Sequence, residues 1–253
     1  MLIKKKVMDN STLTNKRNHI MKDVIIACDF KDAKTTLSFL DLFKTKKPFV
    51  KIGMELFYFE GPAIVREIKA RGHKIFLDLK LHDIPNTVMS AMQSLSKLDP
   101  DIIDVHAAGT TEMMKAAMEG AFRSDGSKPL VIAVTQLTST SEERMNRELL
   151  IQATMEETVL HYAQNAKEAG LSGIVCSPLE AAIVKKGLGE DFITVTPGIR
   201  LPDSIKDDQA RITTPVQARE IGTDYIVVGR PIIRAENPVA AYDRFCHDFL
   251  GKA

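Results

Sequence analysis

The chain has 253 residues, of which 44% are hydrophobic, and a formal net charge of +1. That is enough material for one large core, and a single α/β barrel of ~250 residues is a standard way to build one. The balanced charge supplies no bulk field for nucleic acid or an anionic membrane, and no apolar run approaches the ~20 residues needed to span a bilayer.

Residues 1–20 are polar and basic without an apolar h-region, which argues against a secretory signal. They read as an extension, a tag or an alternative start ahead of Met21, and are expected to stay disordered. The single barrel domain is expected over 21–253. Val24-Ile25-Ile26-Ala27 opens the first candidate strand, 24–28. Further short apolar runs follow at 48–52, 74–79, 101–106, 129–135, 173–176, 192–196 and 224–228.

Segments with apolar residues at helical spacing separate these runs. Ile64, Val65 and Ile68 form one stripe, closed by Gly72; Val88, Met92 and Leu95 form the next; Met113, Ala117 and Ala121 continue the series. Met113, Met114 and Met118 read as helix packing. The last helix is expected to start at Asn237 as N-cap with Pro238 in its first turn, with Val239, Tyr242, Cys246 and Phe249 on one side. Strands apolar on both faces and separated by helices imply a parallel sheet, and about eight such units imply a closed (β/α)8 TIM barrel, with a doubly wound open sheet as the alternative. The connections 136–152 and 198–214 are long for such a fold. Both follow strands, and so belong to the C-terminal rim where barrel active sites are built.

Charged residues interrupt this apolar rhythm near strand ends. Asp78 and Lys80 stand two residues apart in Phe76-Leu77-Asp78-Leu79-Lys80-Leu81-His82-Asp83, so they are expected on one face of the strand. Buried charges are costly unless paired or used. Lys51 sits inside the run Val50-Lys51-Ile52 and reads as a paired or functional lysine. Asp29 closes the first strand and also reads as an N-cap before Ala33 and Leu37. Asp83 also reads as a cap for the helix entered through Pro85. His82 and His106 read as structural histidines. There is no His-x-His pair and no cysteine cluster, so a zinc site is not expected. The scattered Cys28, Cys176 and Cys246 suit reduced thiols in the cytoplasm. Gly229 after the last strand lets backbone N–H groups approach an anion, and Arg230 offers bidentate contacts to phosphate oxygens.

With these residues in view, the chain from about Lys22 onward resembles the orotidine 5′-phosphate decarboxylase family. The matching pieces include Ala27-Cys28-Asp29, Val50-Lys51-Ile52-Gly53-Met54, Asp78 to Thr87, Leu137-Thr138-Ser139, Thr196 to Arg200, Asp208-Gln209-Ala210-Arg211 and Val228-Gly229-Arg230-Pro231. The resemblance implies decarboxylation of orotidine 5′-phosphate to UMP without a cofactor or metal. It implies a charged tetrad of Lys51, Asp78, Lys80 and Asp83, with Lys80 as proton donor. It implies ribose-side contacts from Asp29 and Lys51, a loop over the pyrimidine carrying Thr138 and Ser139, and substrate and phosphate contacts from Arg200, Gln209, Gly229 and Arg230. The segment 198–214 would close as a lid. A homodimer is implied, with Asp83 and Thr87 reaching into the partner's site. The rival readings are a Mg²⁺-dependent 3-keto-gulonate-6-phosphate decarboxylase or hexulose-phosphate synthase type of the same barrel group, and a non-catalytic nucleotide-binding barrel. Lys51 stands where the metal-dependent enzymes place a carboxylate, and a lysine repels a divalent cation.

Overall fold

The apolar runs become eight parallel strands: β1 (Asp23–Ala27), β2 (Phe49–Gly53), β3 (Ile75–Leu81), β4 (Ile102–His106), β5 (Leu130–Val134), β6 (Gly173–Val175), β7 (Ile193–Thr196) and β8 (Tyr225–Val228). In the computed structural model, which describes residues 22–202 and 213–251, each strand pairs with the next and β8 pairs back to β1. The barrel is therefore closed, and the open-sheet alternative falls away. The extension 1–20 and residues 203–212, the middle of the segment expected to close as a lid and the site of Gln209, lie outside the described residues.

Two-residue alternation sorts each strand between two cores. On β1, Ile25 and Ala27 face the barrel axis with Phe49, Phe76, Ile102 and Ile132. Val24, Ile26 and Cys28 face outward and pack beneath the helices. Apolar residues on both faces are what a strand covered on both sides requires. The same parity carried toward the C-terminal end puts Asp29, Lys51, Asp78 and Asp104 at the interior positions following Ala27, Phe49, Phe76 and Ile102. The axial core is apolar below and charged at its mouth.

The helices follow the expected stripes. Ile64, Val65 and Ile68 are buried on the helix Pro62–Ala70, and Gly72 leaves it at φ +84°. Val88 and Met92 are buried on Pro85–Ser96, and Met113, Met114 and Ala117 on Thr110–Gly120. Asn237 caps the final helix, Pro238–Leu250, accepting the Ala240 N–H at 3.1 Å. That helix also buries Phe245, which the expected stripe omitted.

Three local expectations change. The first helix, Ala33–Leu40, is capped by Asp32 rather than Asp29, because Asp32 Oδ1 accepts the Thr35 N–H at 2.7 Å. Asp83 does not cap the helix at Pro85: the N-cap position is Ile84, and Asp83 Oδ1 accepts only the adjacent Ile84 N–H, at 2.7 Å. The connection after β5 contains a helix, Glu142–Glu148, capped by Ser141, so it is a partly ordered excursion at the rim.

At the opposite end of the barrel, a buried ion pair ties three elements together. Lys185, on the helix Pro178–Leu188, meets Asp224 Oδ2 at 2.6 Å, with side-chain exposures of 5% and 9%. The same oxygen accepts the Thr194 N–H of β7 at 2.8 Å. Removing one partner leaves a buried charge uncompensated. Lys185→Met is therefore expected to lower unfolding stability by ~3–5 kcal/mol in denaturant titrations, while activity well below the melt stays near wild type.

Candidate active site

The charges at the barrel mouth form a chain. Lys51 Nζ lies 2.9 Å from Asp78 Oδ2 and 3.3 Å from Asp29 Oδ1. Lys80 Nζ donates to Asp78 Oδ1. Asp78 is thus held on both oxygens by ammonium groups from two neighbouring strands. The Lys51 and Asp78 side chains are only 13% and 11% exposed, whereas Asp29 is 54% exposed at the outer end. Gly53 supports this packing, since a Cβ there would lie 3.2 Å from Lys51 Nζ.

Electrostatics keep the array charged. Burial alone would raise the Asp78 carboxyl, but Lys51 above all, with the neighbouring Asp104 side chain and Lys80, holds it well below the usual carboxylate range. Burial likewise opposes the Lys51 charge, and Asp78 followed by Asp29 outweighs it, holding the ammonium above its ordinary value. At neutral pH both groups carry their charges.

Lys80 does not follow plain strand geometry. Its φ is +50°, in the left-handed region that β-carbon-bearing residues seldom enter. The β3–β4 register shifts here: Leu77 pairs with Ile103 and Leu81 with Val105, so Asp78, Leu79 and Lys80 are set against Asp104 alone. Such bulges occur beside active sites because they re-aim a side chain. The simple alternation argument correctly joined Asp78 and Lys80, but the bulge completes the geometry.

A cavity of about 300 Å³ opens above this array. Asp29, Lys51, Asp78 and Lys80 line one side, and Thr138, Ser139, Arg200, Gly229 and Arg230 line the rest. Gly198, at φ +82°, turns the chain after β7, and the two ends of the 198–214 connection are joined by hydrogen bonds from Arg200 N to Thr213 O (3.0 Å) and from Thr213 N to Gly198 O (3.2 Å). Asp83 and Thr87 are not among the residues lining this cavity; both are exposed, beside the exposed Ile84.

Asp104 is the residue that sequence reading missed. Its side chain is fully buried under Asp78, and its Oδ1 accepts the Lys80 N–H at 2.8 Å. The signal was available: an acid inside Ile102-Ile103-Asp104-Val105 is the same kind of interruption that singled out Lys51. His106 stacks on His82 with ring centroids 5.4 Å apart. Burial, with His82 and Lys80 nearby, lowers its pKa. Among the described residues, no group of three or more His, Cys, Asp or Glu side chains is arranged to hold a metal ion.

This arrangement has counterparts in known proteins. A decarboxylase from Geobacillus sp. (strain WCH70), described as orotidine 5′-phosphate decarboxylase, is 55% identical over 231 residues, covering 90% of this chain and 97% of the relative. One of the same description from Staphylococcus saprophyticus is 57% identical over 227 residues, covering 90% and 98%. Among solved structures, orotidine 5′-phosphate decarboxylase from Lactobacillus acidophilus superposes with a TM-score of 0.81 at 40% identity, covering 90% of this chain and 99% of that one. An uncharacterized conserved protein from Geobacillus kaustophilus gives 0.80 at 47% identity, covering 89% and 99%. The profile of the orotidine 5′-phosphate decarboxylase / HUMPS family matches residues 22–245, from the first strand into the last helix, and this chain belongs to that family.

Proposed function

We infer that this barrel decarboxylates orotidine 5′-phosphate to UMP and CO2 without a cofactor, the last step of de novo pyrimidine nucleotide synthesis. The observation that carries the reading is the buried Lys51–Asp78–Lys80 chain at the floor of the cavity. Loss of CO2 from C6 leaves a carbanion-like centre with little delocalisation. The reaction therefore needs a fixed positive charge at that carbon and a proton to follow. Lys80 supplies both. Asp78 lies toward the substrate carboxylate, and the repulsion between them fades as that carboxylate leaves as neutral CO2. Lys51 keeps Asp78 ionised and, with Asp29, faces the ribose. Preorganised charge of this kind acts without reorganisation at the moment of reaction.

Arg230 and the Gly229 backbone bind the phosphate, while Thr138 and Ser139 cover the pyrimidine. Arg200 and Gln209 add further substrate and phosphate contacts, with 198–214 as the closing lid. Binding energy from the non-reacting phosphate closes the lid and excludes water. Lys51 at the floor disfavours a divalent cation there, which supports a metal-free reaction over the Mg²⁺-dependent chemistry of the same barrel group.

The active form in this reading is a homodimer in which Asp83 and Thr87 complete the partner's site. Two features support it. Asp83 stands outside its own cavity, next to Ile84 at 66% exposure, and Tyr58 and Phe59 are 69% and 73% exposed on the helix Met54–Glu60 after the neighbouring strand. A second recess, reaching Lys51, Asp78 and Lys80 past Gly53 and Met54, opens toward that helix and offers an entry for a partner's side chain. The thiols Cys28, Cys176 and Cys246, which form no disulfide, fit a cytoplasmic enzyme.

The direct test is loss of orotidine monophosphate absorbance with and without EDTA. Equal rates are expected, and Lys80→Ala should cut kcat by at least about 150-fold, matching the ~3–5 kcal/mol lost with a buried charged partner. Arg230→Ala should weaken substrate affinity strongly, and phosphite dianion should speed turnover of the truncated nucleoside by the intact enzyme; a nucleoside indifferent to the dianion would contradict the phosphate role. Subunit exchange tests the dimer. Lys80→Ala and Asp83→Ala proteins, each inactive alone, should regain about a quarter of wild-type activity on mixing, because half the dimers become mixed and each then carries one intact site. No recovery under proven exchange would assign Asp83 to its own subunit or to neither.

A further inference from the structure

Asp104 lies below the catalytic charges and is not among the residues lining the cavity. Its Oδ1 is satisfied by the Lys80 N–H at 2.8 Å. Its Oδ2 is buried without a hydrogen-bond partner, and the charged group beside it is the Asp78 carboxylate, set against it across the β3–β4 bulge. Two carboxylates form a hydrogen bond only when one of them carries a proton. Asp78 is the one flanked by both ammonium groups, so the proton belongs on Asp104.

We propose that Asp104 is carried as the neutral acid, donating from Oδ2 to Asp78 while Oδ1 accepts the Lys80 N–H, and that it is the positioning residue orienting both catalytic groups. The surroundings agree with this state. Burial pushes the Asp104 carboxyl well above the usual range and the Asp78 charge pushes it further, against a smaller opposing effect of Lys80. On the other side its ladder partner on β5 is Ile132, which carries no charge. A neutral acid kept beside an anion can serve as a donor at neutral pH, as an ionised one cannot. Here it fixes the rotation of Asp78 and also holds the left-handed turn at Lys80, since the three-residue bulge has Asp104 as its only ladder counterpart. The catalytic consequence rests on the decarboxylase reading above; the protonation state does not.

Asparagine is close to isosteric, bears a permanent N–H donor and retains an acceptor for Lys80, whereas leucine has neither. Asp104→Asn is therefore expected to keep kcat within about tenfold of wild type, and Asp104→Leu to lose on the order of 10- to 100-fold beyond that, as expected for a lost hydrogen bond to a charged group. KM should move only a few-fold in both, because Asp104 does not reach the cavity. An Asp104→Asn protein as impaired as Asp104→Leu, or a fully active Asp104→Leu, would overturn the proposal.

A second measurement needs no turnover. Above the ordinary carboxylate range the unfolded chain has released this proton while the folded protein retains it, so wild-type stability falls as pH rises, by up to ~tenfold in the folding equilibrium constant per pH unit, until the folded pKa is passed. Asp104→Asn lacks that proton. Its melting temperature relative to wild type should therefore climb as pH is raised from 4 to 8. Parallel or converse profiles would mean that Asp104 is ionised in the fold, even if the wild type failed to turn over orotidine monophosphate.

Discussion

Everything at the mouth of this barrel depends on keeping Asp78 ionised where water is scarce. A carboxylate that is 11% exposed would ordinarily take up a proton. It does not because Lys51 engages one oxygen and Lys80 the other. Those ammonium groups come from different strands, so the pairing exists only once β2 and β3 are in register, with Gly53 opposite Asp78. The closed barrel supplies that register, and the apolar layer beneath supplies the low-dielectric floor that gives the charges their strength.

The cost of this arrangement is visible in the backbone. Lys80 occupies a left-handed conformation worth on the order of 1–3 kcal/mol of strain, which persists only where the surroundings over-determine it. The displaced β3–β4 register and the Asp104 contact provide that constraint. Strain, buried charge and an unlined acid thus coincide at one turn of chain, while the far end of the barrel uses its buried ions, Lys185 and Asp224, to join a helix to β7 and β8. Charge near the strand C-terminal ends is organised around the cavity, and charge at the other end around the fold.

Much of this was legible without coordinates. The eight apolar runs lie within two residues of the observed strands at each end, because a strand buried on both faces tolerates little besides aliphatic residues. Lys51, Asp78 and Lys80 stood out for the same reason. Errors arose where local chemistry had near-equivalent options. Asp29 and Asp32 both suit an N-cap, and only the backbone decides that Asp32 takes it. The stretch after β5 stood out as a long rim connection, but not its helix, which the Ser141 cap and the following Glu pair start.

The amino-acid sequence by itself determined the barrel, its strand limits and three of the four charges implied for the catalytic array, because each follows from short-range periodicity or from the penalty for burying a charge. Tertiary structure decided the rest. The register shift that aims Lys80, the placement of Asp104 under Asp78 and the position of Asp83 outside its own cavity all depend on which residues of neighbouring strands come to lie opposite one another. No periodicity within a single strand carries that information, since it arises only when the chain closes on itself.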